Sequence, residues 1–71
     1  MQPSELQKKW NLSNAQLAAA LGKTEETVKA YKARKTARSH RTPPQSVLIM
    51  CKLLDEQWQA TGTPQIFFLT A

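Results

Sequence analysis

Cysteine is nearly missing from this 71-residue chain: Cys51 stands alone. A single thiol can form no internal disulfide and no cysteine-based zinc site. It sits in an apolar stretch and reads as a small buried hydrophobe. Histidine is just as scarce, with His40 the one example. No partner ligand lies near it in sequence, so a surface histidine is expected rather than a catalytic or metal-binding one. Glycine occurs twice, and no phosphate-cradling loop is present. No nucleophile–base pair or metal-ligand cluster appears either. No catalytic residue, metal or cofactor is therefore expected, and the chain does not read as an enzyme. Long apolar runs are also absent. The longest is Val47 to Cys51, far short of the roughly 20 residues of a membrane span. The basic pair Lys8 and Lys9 is followed by polar residues rather than an apolar core, so no secretory leader is expected and a cytoplasmic setting is.

Negative charge is in short supply as well. Five carboxylates face ten lysines and arginines, for a net charge of +5. The excess is concentrated. Residues 23–41 hold Lys23, Lys29, Lys32, Arg34, Lys35, Arg38 and Arg41 against only Glu25 and Glu26. A basic patch this dense is the footprint of a polyanion binder. Exposed aromatics for stacking on bases are few, which favours a duplex over single-stranded RNA. The chain is long enough for one small domain, whose modest core makes self-association a live expectation.

What is present is mostly helical patterning. A first helix is expected over Pro3 to Trp10, with Ser4 and Gln7 in capping-box spacing and Leu6 and Trp10 on one face. Asn11 and Leu12 read as a connection. A second helix starts near Ser13, whose hydroxyl can cap it, and carries Leu17, Ala18 and Leu21 inward. Gly22 ends it. Thr24 caps a third helix running to about Lys35, with Glu25 and Glu26 at its positive end. Residues Ala37 to Thr42 are expected to be a loop. A fourth helix follows Pro44 and runs to about Ala60, with Thr42 as its expected cap. Its apolar residues span roughly 200° of arc, wider than a one-sided surface helix requires. Val47, Cys51, Leu54 and Trp58 form a row that closes the core over the first three helices. Ile49, Leu53 and Ala60, with Met50 between the rows, form a second that needs another partner. Trp10 and Trp58 are expected as core or interface anchors. After a turn at Thr61 to Pro64 comes the apolar tail Ile66, Phe67, Phe68 and Leu69, read as a segment packed on the second row or a strand pairing with another copy.

The central stretch, residues 17–31, has the spacing of two short helices crossed over a tight turn. This arrangement usually offers its second helix to the major groove of DNA. Ala18 is small where the helices cross, Gly22 lets the chain reverse, and Leu17, Leu21, Val28 and Tyr31 form the shared core. The expected groove-facing residues are Thr24, Glu25, Thr27, Lys29 and Lys32. The bland alternative for Lys29 is an i, i+4 pair with Glu25. The expected phosphate contacts are Asn14, Gln16, Lys23, Arg34, Lys35, Arg38 and Arg41.

Residues 5–31 resemble the helix-turn-helix of the phage-repressor and Cro-type (XRE-like) transcriptional regulators. The run Leu-Ser-x-x-x-Leu-Ala-x-x-Leu-Gly from Leu12 to Gly22 carries the resemblance, and Tyr31 stands where that family often has tryptophan. Three features depart from the family pattern: Lys23 at a usually apolar turn position, Glu25 and Glu26 where base-reading residues often stand, and the apolar tail. The resemblance implies sequence-specific binding to double-stranded DNA, commonly as a homodimer and usually for transcriptional control.

The expected fold is therefore all-α, a small four- to five-helix bundle containing a helix-turn-helix, with residues 1–60 as the DNA-binding domain and 61–71 as a dimerisation or packing tail. Ile49, Leu53, Ile66, Phe67 and Phe68 are the expected interface. The competing expectation is a protein-interaction module, such as an antitoxin or adaptor, that binds a protein partner through helix 44–60 and the tail.

Overall fold

A computed structural model of the chain describes residues 1–66. The described part is all-helical. It contains α1 (Pro3–Trp10), α2 (Asn14–Leu21), α3 (Glu25–Lys32) and α4 (Gln45–Thr61), with no strand among the described residues. Phe67, Phe68 and Leu69 lie outside them.

Local chemistry explains most of the helix boundaries. Pro3 occupies the first turn of α1, where its missing N–H costs nothing. The capping carboxylate is Glu5, which accepts from the Gln2 backbone N–H at 3.1 Å. The cap thus lies two positions before the expected Ser4 start, because Pro3 favours the first helical position. Asn11 ends α1 in the left-handed region at φ 55°, which asparagine tolerates better than most side chains. That reversal lets the Leu12 N–H donate to Gln7 O at 2.9 Å and turns Leu12 into the core, where it is 8% exposed. A residue expected only as a connector is therefore a core plug.

Helix α2 begins with a reciprocal cap. The Ser13 hydroxyl accepts from the Gln16 N–H at 3.0 Å, and the Gln16 side-chain carbonyl accepts from the Ser13 N–H at 2.8 Å. It ends at Gly22, φ +66°. An added Cβ there would meet no neighbour, so glycine is favoured by backbone conformation and not by crowding. Helix α3 is capped by the Thr24 hydroxyl, which accepts from the Thr27 N–H at 3.2 Å. It stops at Lys32, not near Lys35. Ala33 is already extended at ψ 155°, so Arg34, Lys35 and Thr36 leave the helix. Helix α4 begins at Gln45 after Pro44, and its first turn has no side-chain cap. Thr42 does not serve that role. Two consecutive prolines hold the approach extended, which keeps Thr42 too far from the first helical amides.

Leu6, Leu17, Val28, Cys51 and Trp58 are fully buried, and Leu12, Ala18, Leu21 and Val47 complete the core. Ala18 is 4% exposed, and α2 packs more extensively on α3 than on any other helix. Helix α4 lies on α1 and α2 rather than across all three earlier helices, while α3 lies on α2 and α1. Trp10 and Trp58 meet edge to face, with ring centres 5.8 Å apart at 85°, a favourable quadrupole arrangement. Asp55 is the buried polar member, 7% exposed. It accepts from Trp10 Nε1 at 2.8 Å and from Gln59 Nε2 at 2.8 Å, and it pairs with Lys9 Nζ at 2.9 Å.

Candidate nucleic-acid interface

The α2–α3 pair exposes a defined surface. With Val28 buried and Tyr31 half-buried, α3 turns Glu25, Lys29 and Lys32 to solvent. Thr24 is exposed and Thr27 half-buried, but their hydroxyls lie 2.9 Å apart and bond to each other. These two threonines are part of the helix cap, with the remaining hydroxyl capacity left for a ligand. Lys29 makes no ion pair with Glu25. Among the described residues the one ion pair is Lys9–Asp55, so the lysine ammonium is left unengaged.

Lys32 reaches back to the start of α2. Its Nζ donates to Asn14 Oδ1 at 2.7 Å, and Gln7 Nε2 donates to the same oxygen at 3.0 Å. Residues expected separately in the groove and on a phosphate are therefore neighbours. The positive end of the α2 dipole and a lysine ammonium converge there, which favours an anion. Gln16 spends its carbonyl oxygen on the α2 cap and keeps its amide hydrogens as donors.

The basic loop after α3 folds back on that helix. The Arg41 N–H donates to Ala30 O at 3.0 Å, and His40 Nδ1 lies 2.9 Å from Ala33 O. Two turns, Arg34 O to Ala37 N and Ala37 O to His40 N, shape the segment between. His40 is half-buried and acts as a structural clasp at the end of α3. The result is a cleft of about 440 Å³, with Glu26, Thr27 and Ala30 on its α3 wall and Arg38 through Arg41 on the other. Arg38 and Arg41 are thereby brought alongside α3. Arg34 and Lys35 follow directly from its C-terminus, and Lys23 lies in the turn before it. All seven cations from Lys23 to Arg41 are exposed.

The expected interface residues divide. Ile49 and Leu53 are exposed on α4, together with Met50. Ile66 instead is half-buried against the chain's own core, and Thr63, Pro64 and Ile66 line a cleft with Trp10, Leu12 and Gln16. The described start of the tail thus turns toward α1 and α2 and leaves the second apolar row of α4 uncovered. Phe67 and Phe68 lie outside the described residues.

Sequence reasoning passed over Asp55 and did not foresee the contact that His40 makes with Ala33 O. The signal for Asp55 was available: it stands four residues after Cys51 and three before Trp58, so it shares their buried face. No local signal marked the contact from His40 to Ala33. Among the described residues no helix is long and apolar enough to cross a membrane, and no three His, Cys, Asp or Glu side chains gather around a possible metal position. Comparison with family models, with curated proteins and with solved structures finds no match for this chain.

Proposed function

We propose that this protein binds double-stranded DNA in a sequence-specific manner through a helix-turn-helix formed by α2, Gly22 and α3, and that it acts as a repressor-like transcriptional regulator. Helix α3 enters the major groove with Lys29 and Lys32 foremost. The loop from Arg34 to Arg41 holds the adjoining phosphates. The observation that carries the reading is the exposed run of seven cations on α3 and its flanking segments, none of them in an ion pair with another described residue. An internally neutralised surface helix would pair such charges with its own carboxylates. Two further features support it: the extensive packing of α2 on α3, with Ala18 buried, and the Asn14–Lys32 contact at the positive end of α2. Phosphate contacts set register and supply affinity, while groove contacts read sequence. Glu25 has a subordinate part, since a carboxylate is repelled by phosphates unless it accepts from a cytosine amino group.

The test is selection from random duplexes with the purified protein, followed by affinity measurements at two salt concentrations. Recovery of a shared site and a steep fall of affinity with salt are the expected results. Unchanged affinity and salt dependence in Lys29→Ala and Lys32→Ala would rule out the groove-reading role.

A further inference from the structure

Helix α3 and the basic loop that folds back on it frame a cleft of about 440 Å³, within the roughly 300–1,000 Å³ of small-molecule sites. Its loop wall is built before any ligand arrives. The turn from Ala37 to His40, the Arg41 N–H on Ala30 O and the His40 ring on Ala33 O hold that wall against α3. Arg38, Ser39 and Arg41 stand on the loop side, and Glu26 stands on the α3 side with Ala30. Glu26 forms no ion pair with Arg38, Arg41 or any other described residue. Opposite charges therefore line one cleft without closing on each other. The cleft is also distinct from the face assigned to the groove. Glu26 and Ala30 lie roughly 100° and 140° around α3 from the middle of the Glu25, Lys29 and Lys32 face, at about 100° per residue.

We propose that this cleft binds a guanine mononucleotide, with its phosphate on Arg38 and Arg41 and its base on Glu26. The charges on the two walls define the ligand. Two guanidiniums on one short loop suit a phosphate, whose oxygens accept their paired N–H donors. The Ser39 hydroxyl adds a further donor beside them. A carboxylate repels phosphate and only accepts hydrogen bonds. The ligand must therefore be anionic at one end and a hydrogen-bond donor at the other, which is the polarity of a nucleotide. Among the common bases guanine alone sets two donors side by side on one edge, a ring N–H and an exocyclic amino group. They match the two oxygens of a carboxylate. Adenine and cytosine place a ring acceptor beside their amino group, and uracil flanks its one donor with carbonyls. Either arrangement turns a lone pair toward the carboxylate. Ala30 contributes only a methyl group beside Glu26, which leaves room between the two ends for the sugar. Binding of this kind goes beyond DNA recognition and is measured without DNA.

Isothermal titration of the full chain with guanosine monophosphate, inosine monophosphate and ribose phosphate tests it. Inosine monophosphate lacks the exocyclic amino group, and ribose phosphate lacks the base. Guanosine monophosphate is expected to bind with a dissociation constant below about 1 mM. It is expected to bind about tenfold tighter than inosine monophosphate, the effect of one hydrogen bond to a charged group. Arg38→Ala and Arg41→Ala each weaken both nucleotides by about tenfold. Both side chains are exposed, and the backbone bond from Arg41 to Ala30 does not depend on the side chain, so helical circular dichroism and melting stay unchanged. Glu26→Gln abolishes the preference for guanosine monophosphate, because an amide turns a donor of its own toward one of the two donors of the base. No binding of guanosine monophosphate up to about 1 mM, affinity untouched by the arginine variants, or a preference that survives in Glu26→Gln would overturn the proposal. Equal binding of all three phosphate esters would overturn it as well, leaving only an unselective anion patch.

Discussion

Trp10 and Asp55 are joined across 45 positions of sequence by a 2.8 Å hydrogen bond, in which the indole Nε1–H donates to Oδ1. The bond fastens the end of α1 to the middle of α4 and fixes the angle at which Trp10 meets Trp58. Trp58 Nε1, by contrast, has no hydrogen-bond partner among the described residues. One tryptophan is therefore anchored by polarity and the other by packing alone.

Hydrogen bonds from Lys9, then from Trp10, hold the Asp55 carboxyl below its ordinary value. A carboxylate whose folded value is depressed stabilises the protein fully above its unfolded value of about 3.9, and that stability disappears as pH falls through the lower folded value. Asp55→Asn is expected to lower the urea midpoint at neutral pH. The gap between variant and wild type is expected to stay constant down to about pH 5 and to close below about pH 4. Urea titrations at several pH values check this.

Gly22 is expected to resist replacement. Alanine at φ +66° meets no steric neighbour but adopts a left-handed backbone conformation that costs about 1–2 kcal/mol. Chemical denaturation of Gly22→Ala measures that cost directly.

Burial pushes the Cys51 thiol up to about 11. Because the folded value is raised, the thiol's contribution to stability is complete below the unfolded value of about 8.5 and is lost as pH rises toward the folded one. The native protein at pH 8 is expected to react with thiol reagents only as fast as it opens. Labelling kinetics with and without denaturant separate this from surface reactivity.

On selected DNA, Lys29→Ala and Lys32→Ala are each expected to reduce the salt slope by about one if they contact phosphate. Where a lysine reads guanine, its loss instead relaxes preference at one base position. Arg38→Ala and Arg41→Ala are expected to weaken all duplexes alike. Binding as a homodimer, which the family resemblance implies, would predict a pseudo-palindromic site with half-sites about 34 Å apart. Titrations at two salt concentrations on matched and mutated duplexes distinguish these outcomes.

The parts of this fold legible in sequence were those written within four or five residues. Ser13, Gly22 and Thr24 bound their helices through local hydrogen bonds and one backbone conformation. Leu17, Ala18, Leu21 and Val28 are buried as their spacing required. The end of α3 was not legible, because Ala33, Arg34 and Lys35 are all good helix formers. What stops the helix is a return of the chain, through Arg41 to Ala30 and His40 to Ala33. Leu12 was hidden for a related reason, since its burial depends on the left-handed turn at Asn11. Within the candidate interface the cations could be read from sequence alone. That Asn14 and Lys32 touch could not, because they lie 18 positions apart on different helices.

The clasp at the end of α3 bears on how the basic loop would behave on meeting the proposed DNA ligand. Arg38 and Arg41 are carried on a backbone whose turns and return contacts are already hydrogen-bonded. A polyanion docking there does not have to freeze a wandering tether, so less conformational entropy is lost on contact. Heat-capacity changes on binding should then reflect surface removed from water, without the larger signature of a segment that folds as it binds.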